Sequence, residues 1–197
     1  FDRRPLRYLR PEICPEDVSS VDQKLALLAQ AGVDATLVLA FDEALASLEP
    51  AEFVDRFLVR ALHARTVLVG EDFRFGRGGA GTPELLAELG HDHGFVVEVV
   101  DDVRAIGGGR RVSSSWVREL IAAGDVDAAA RVLGRPHTVR GTVVHGLKRG
   151  RELGFPTANL QPDPEGMIPA DGVYAGWLVD DGDASASPSA LRSTTRY

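Results

Sequence analysis

Three stretches of this chain carry residue types at spacings that suit phosphate chemistry. In Glu71-Asp72-Phe73-Arg74-Phe75-Gly76-Arg77-Gly78-Gly79-Ala80-Gly81, glycines let backbone amides approach an anion closely, and Arg74 and Arg77 supply positive charge. A turn-rich surface connection with solvated arginines would have the same composition. In Val112-Ser113-Ser114-Ser115-Trp116-Val117-Arg118, three hydroxyls precede a helical pattern with Arg118 one turn in. Hydroxyls and free amides at a helix start attract anions, although plain serine capping explains the same residues equally well. The third stretch runs from Gly141 through His145 and Gly146 to Gly150-Arg151-Glu152-Leu153-Gly154-Phe155-Pro156-Thr157-Ala158-Asn159-Leu160. Thr157 and Asn159, two apart on an extended segment, face the same side and offer oxygen ligands to a hard cation such as Mg²⁺. A Gly/Pro turn that happens to contain an Asn is the alternative, but a packed strand does not need Pro-Thr-Ala-Asn after a run of glycines.

The remaining candidate ligands are weak. His91 and His93 are too close in sequence to share a helical face and fall near a helix C-terminus, where the dipole favours a capping or solvated role. His63 also ends a helix, and His145 borders the glycine stretch. Cys14, the one cysteine, excludes a disulfide framework or cysteine-built zinc site within this sequence and fits a reducing, cytoplasmic setting.

The elements that must position these residues alternate in type. Ser20 and Gln23 form a capping-box pattern before Val21–Ala29, and Gly32 closes that helix. Thr36–Leu39 is a short apolar run expected as a strand buried on both faces. Pro50 opens a helix whose Phe53, Phe57, Leu58 and Leu62 share one stripe. Thr66–Gly70 is a further buried strand, Pro83 starts a helix, and Phe95–Val100 is another strand. Ser113–Ser115 are expected to cap a helix over Trp116–Ala123, and Asp125 one that ends at Gly134. Such alternation implies a parallel sheet with right-handed crossovers, so the fold class is α/β.

At Gly134-Arg135-Pro136 the pattern changes to short β-type runs, 138–144 and 172–179, punctuated by Gly and Pro. A boundary is therefore expected near Pro136, giving domains 1–135 and 136–197, the second all-β. Asp180–Ser189 is small and polar and reads as a hairpin loop. With 62 residues the second module is marginal for an independent core.

The whole chain has 197 residues, 44% hydrophobic and 26% charged, with a formal net charge of −7. That balance argues against a general nucleic-acid or anionic-membrane binder, so bound phosphates need a local site. No run approaches the ~20 apolar residues of a membrane span, and no signal peptide is visible. The first residue is Phe1 rather than Met, and the chain stops abruptly at Tyr197. A piece of a longer protein is expected.

Taken in order, these motifs resemble the bacterial bifunctional riboflavin kinase/FAD synthetase family. Phe1-Asp2-Arg3-Arg4-Pro5 resembles its Phe-Asp-Pro-His-Pro, and Val69–Gly76 its Val-Gly-x-Asp/Asn-Phe-x-Phe-Gly. Val112–Arg118 resembles its Ile/Val-Ser-Ser-Thr-x-Ile-Arg. Gly150–Leu160 is similar to the kinase motif Gly-Arg-x-Leu-Gly-Phe-Pro-Thr-Ala-Asn-Leu, and Gly172–Ala175 to its Gly-Val-Tyr-Ala. The resemblance implies a Rossmann-like nucleotidyltransferase domain that joins FMN to the AMP part of ATP. A Greek-key barrel, incomplete here, would follow it and phosphorylate riboflavin. It implies Mg²⁺ as cofactor, with ATP, FMN and riboflavin as small-molecule substrates. By the same resemblance, Asp72, Phe73, Arg74, Phe75 and Gly76 line the adenylylation site, and Ser114, Ser115 and Arg118 hold ATP phosphates. Gly146, Lys148, Gly150 and Arg151 cover the kinase nucleotide, Thr157 and Asn159 coordinate Mg²⁺, and Tyr174 lies near the ligands.

The departures bear on activity. The family's first strand, with its histidine phosphate loop, is expected before Phe1, and its Asn-Pro-Thr-Phe strand and kinase general-base Glu beyond Tyr197. Catalytic residues are therefore expected outside this sequence. Arg3-Arg4 stands for Pro-His, and Ser115 for the usual Thr, which keeps the hydroxyl. Two other readings share the residues: a non-catalytic flavin- or nucleotide-binding remnant, and a nucleotidyltransferase for another acceptor, against which the Pro156-Thr157-Ala158-Asn159 run argues.

Overall fold

The computed structural model describes residues 1–105, 109–144 and 158–180. Its amino-terminal part holds α1 (Pro5–Leu9), α2 (Val21–Gln30), α3 (Glu43–Ala46) and α4 (Pro50–Phe53). Helix α2 begins and ends on local chemistry. Ser20 Oγ accepts from the Gln23 N–H at 3.1 Å, and the Gln23 side chain accepts from the Ser20 N–H at 3.0 Å. Gly32 takes φ +88°, and the Val33 N–H returns to the Leu28 carbonyl to close the helix.

The helix begun at Pro50 departs from its expected stripe. After α4 it continues as a π-helix over Val54–Ala61, and the Leu62 N–H donates five residues back to Phe57. The wider turn rotates successive side chains away from a 3.6-residue stripe. Phe53 and Leu58 pack on the core, and Phe57 lies 5.2 Å from the Phe53 ring. Leu62, however, is 52% exposed, and Val54 is fully buried in its stead.

Strands β1 (Thr66–Gly70) and β2 (Val96–Val100) pair in parallel, Thr66 opposite Val96 through Gly70 opposite Val100. The crossover is α5 (Pro83–His93), capped by Thr82 and ended by Gly94 at φ +80°. Val54, Val69, Phe75, Leu86 and Phe95 form the core beneath them. The reading of Thr66–Gly70 as a buried strand holds for one face only. Because α5 and the π-helix pack on the same side, Val69 is buried while Leu68 is 62% and Val96 59% exposed. Thr36–Leu39 joins no named strand. The Asp2 N–H reaches the Leu39 carbonyl at 2.9 Å, and Leu37 and Val38 are exposed. Apolar composition permits a strand, but only a laddered neighbour makes one.

Helices α6 (Ser114–Ala122) and α7 (Val126–Leu133) form a hairpin around a second core of Val117, Ile121, Ala129 and Met167. Helix α6 starts two residues before the expected Trp116. Ser113 alone is the cap, accepting from the Trp116 N–H, so Ser114 and Ser115 belong to the first turn. Asp125 caps α7 and Gly134, at φ +69°, ends it, both as expected.

After Pro136, β3 (Val143–Val144) pairs antiparallel with β4 (Asn159–Leu160), and Arg140 bridges Glu165. Among the described residues the run 172–179 forms no named strand, and Val173, Trp177 and Val179 are exposed. Of the expected loop Asp180–Ser189, residues 181–189 lie outside the described residues. Among the described residues the architecture is thus mixed α/β, with one parallel and one small antiparallel pair. Among the described residues no helix is long and apolar enough to cross a membrane.

Candidate functional site

A cavity of about 430 Å³ opens along α6, lined by Pro15, Glu16, Ser115, Arg118, Glu119, Ala122 and Met167. The one-turn spacing of Ser115 and Arg118 brings them together: Arg118 Nη2 donates to Ser115 Oγ at 3.1 Å. Among the described residues, Arg118 Nη1 is sealed from solvent and has no hydrogen-bond partner. A buried donor left unpaired costs free energy that an oxygen anion would recover. Burial, and then the positive charge of Arg4, hold Arg118 below the usual guanidinium range, with Asp17 opposing. Asp17 is itself engaged by Arg4 at 2.6 Å and Arg7 at 2.9 Å. Glu119 is occupied by both terminal nitrogens of Arg110, at 2.6 and 2.8 Å, which leaves Glu16 as the other carboxylate of the wall.

A second polar cluster sits at the carboxyl ends of β1 and β2, the edge where open α/β sheets bind ligands. Arg111 Nη2 meets Asp72 Oδ2 at 2.9 Å, and its Nε meets Asp102 Oδ1 at 3.0 Å. One guanidinium therefore ties the loop after β1 to the segment after β2, just ahead of α6. These hydrogen-bonded carboxylates, Asp72 foremost, raise the Arg111 pKa.

The glycine-rich loop is shaped largely by packing. A Cβ on Gly76, at φ +73°, would stand 2.8 Å from Pro50, and one on Gly81 would stand 2.6 Å from the Phe75 ring. Phe75 is buried in the core with Phe73 stacked at 5.6 Å, and it exchanges backbone hydrogen bonds with Gly81. Arg74 donates to the Phe73 carbonyl at 2.7 Å, and Arg77 pairs with Glu49 at 2.5 Å. Asp72 is thus the member of this motif joined to the polar edge.

In the second module, Asn159 is exposed on β4. The Tyr174 hydroxyl donates to the Ala170 carbonyl at 2.5 Å and lies against Gly124 in the α6–α7 turn. Gly146, Lys148, Gly150, Arg151 and Thr157 lie outside the described residues, as does His145. Among the described residues no three His, Cys, Asp or Glu side chains gather as a metal site. Sequence reasoning missed Asp102, Arg111, Pro15, Glu16 and Met167. The doublets Asp101-Asp102 after a strand and Arg110-Arg111 before the serines were the available signal for the first two; nothing local marked the others.

The parallel pair, its crossover helix and a buried cation in the first turns of α6 define an α/β chain with a pocket suited to an oxyanion. This chain belongs to the FAD synthetase family, whose model matches residues 1–116, while residues 133–194 match the riboflavin kinase family. Bifunctional riboflavin kinase/FMN adenylyltransferases are similar to it. That of Pseudomonas fluorescens is 42% identical over 88% of this chain and 55% of its own length. That of Escherichia coli K12 is 37% identical over 89% and 55%, and that of Listeria monocytogenes 38% identical over 88% and 51%. The chain spans about half the length of these relatives. A solved Streptococcus pneumoniae structure, described as a macrolide-efflux protein, superposes with TM-score 0.72 at 31% identity, over 88% of this chain and 56% of that one. Efflux is said of that protein only.

Proposed function

We propose that the protein carrying this sequence is a transferase with two activities in flavin-cofactor synthesis. One phosphorylates riboflavin with ATP, giving FMN and ADP. The other joins FMN to the AMP part of ATP, giving FAD and releasing pyrophosphate. The observation that carries the reading is Arg118 Nη1, a buried and partnerless cationic donor beside Ser115, within a chain of the FAD synthetase family.

In this reading residues 1–135 are a Rossmann-like nucleotidyltransferase module, supported by the parallel β1–β2 pair and its α5 crossover. Residues 136–197 are the first part of a Greek-key kinase barrel, supported by the antiparallel β3–β4 pair. Ser114, Ser115 and Arg118 bind the triphosphate that loses pyrophosphate, with the buried Arg118 Nη1 as the fixed donor aimed at its charge. Asp72, fastened by Arg111, and its neighbours Phe73, Arg74, Phe75 and Gly76 shape the adenylylation edge, with Phe75 acting from the core. Gly146, Lys148, Gly150 and Arg151 cover the kinase nucleotide, and Tyr174 flanks it.

Asn159 offers an exposed amide oxygen, a donor that suits a hard cation with few protein ligands. With Thr157 it would hold Mg²⁺, which neutralises phosphate charge when bound. The test is to incubate the full-length protein with riboflavin, ATP and Mg²⁺ and follow products by chromatography. FMN and then FAD are expected. Neither product appearing refutes the proposal, and tight FMN binding without turnover would replace it with a binding role.

A further inference from the structure

Met167 follows the Pro136 boundary in sequence, yet it is only 8% exposed and packs with Val117, Ile121 and Ala129 of the α6–α7 hairpin. Three bonds to the first module, and one within the second, hold its segment there. The Met167 N–H donates to the Val18 carbonyl at 3.4 Å, and the Ala170 N–H to the Ile121 carbonyl at 3.3 Å. Ser20 Oγ donates to Glu165 Oε2 at 2.7 Å, and His137 Nε2 donates to the Met167 carbonyl at 2.7 Å. The turn itself is specified: Gly166 has φ +90°, and a Cβ there would lie 2.6 Å from the Thr138 carbonyl oxygen. The same Met167 lines the cavity that holds Ser115 and Arg118.

We propose that the 165–170 turn of the second module is a working wall of the first module's anion cavity, with Met167 as a positioning residue for Arg118. This rests on the reading of that cavity as a phosphate site. The thioether touches no reacting atom; it lines the cavity and packs on Val117 and Ile121, the α6 residues that flank Arg118. Removing it admits water and lets Arg118 relax. Nucleotide affinity in the first module then depends on how the second module is docked.

The experiment is calorimetric titration of the chain with inorganic pyrophosphate, alongside Met167→Ala, Met167→Leu, Glu165→Ala and Arg118→Ala. Met167→Ala is expected to weaken binding about tenfold, the scale of a misplaced binding group. Met167→Leu, which keeps the volume, is expected to retain the parent affinity. Glu165→Ala cuts the Ser20 tether but leaves every cavity side chain in place, and it is expected to weaken binding about threefold. It decides the matter if Met167→Ala does not fold. A merely structural Met167 would lower the melting temperature and leave pyrophosphate affinity of the folded protein unchanged. Parent-like binding by Met167→Ala, or by Glu165→Ala where the former does not fold, overturns the inference provided Arg118→Ala has lost binding. Parent-like binding by Arg118→Ala instead overturns the phosphate-site reading, and this inference with it.

Discussion

Replacing Arg118 by Met is expected to make the ligand-free protein more stable and the ligand-bound protein less so. Nη1 is sealed without an acceptor, and an unsatisfied charged donor of this kind costs roughly 1–3 kcal/mol. The substitution also removes the 3.1 Å bond to Ser115, which is exposed to solvent and so counts at the low end for a bond to a charged group, about 1.5 kcal/mol. The difference favours Met by about 1 kcal/mol, because its unbranched apolar chain follows the path of the guanidinium stem without a polar end. For a chain of 197 residues, that raises the melting temperature by about 2–4 °C. Pyrophosphate at a hundredfold excess over its dissociation constant should then stabilise the parent by about 2.7 kcal/mol and the variant hardly at all. Differential scanning calorimetry with and without pyrophosphate should therefore show the two melting curves exchanging order. A variant that melts below the parent without pyrophosphate would mean that Nη1 is satisfied in solution. An equal rise on adding pyrophosphate would place the anion elsewhere. Either result refutes the reasoning.

Three further predictions address the scaffold. Ile121→Ala empties a fully buried position between α6, α7 and Met167 and should cost about 2–5 kcal/mol in urea unfolding; a loss under about 1 kcal/mol would show that the hairpin core collapses freely. Gly76→Ala places a Cβ 2.8 Å from Pro50 at φ +73° and should destabilise by about 1–3 kcal/mol, read as a lower urea midpoint. Glu119 is held below its ordinary 4.5, chiefly by the hydrogen bonds from Arg110. Its stabilising effect is therefore complete above pH 4.5 and lost as pH falls through the lowered folded value. Glu119→Gln should flatten the acid side of the stability–pH curve, and an unchanged slope would show the pair to be broken in solution.

Local elements were legible wherever neighbours in sequence settle them. The α2 capping box, the Ser113 and Asp125 caps and the left-handed glycines at 32 and 134 all answer to short-range hydrogen bonds and backbone sterics. So did the Ser115–Arg118 contact, since residues three apart on a helix meet whatever lies beyond them. For Phe75 the sequence left the environment open, because an aromatic beside an arginine in a glycine loop suits a ligand wall and a core equally. Packing against Phe53 and Phe73 decides for the core.

By itself the sequence determined where α2, α5, α6, α7, β1 and β2 fall, the Ser20, Ser113 and Asp125 caps and the serine–arginine pair, because each rests on contacts a few residues long. Only the tertiary structure decided which strand faces are covered, whether Thr36–Leu39 joins a ladder, that Arg111 joins Asp72 to Asp102, and that Met167 closes a cavity begun by Pro15 and Ser115. Those outcomes depend on which distant segments pack together, and local residue pattern carries no record of that choice.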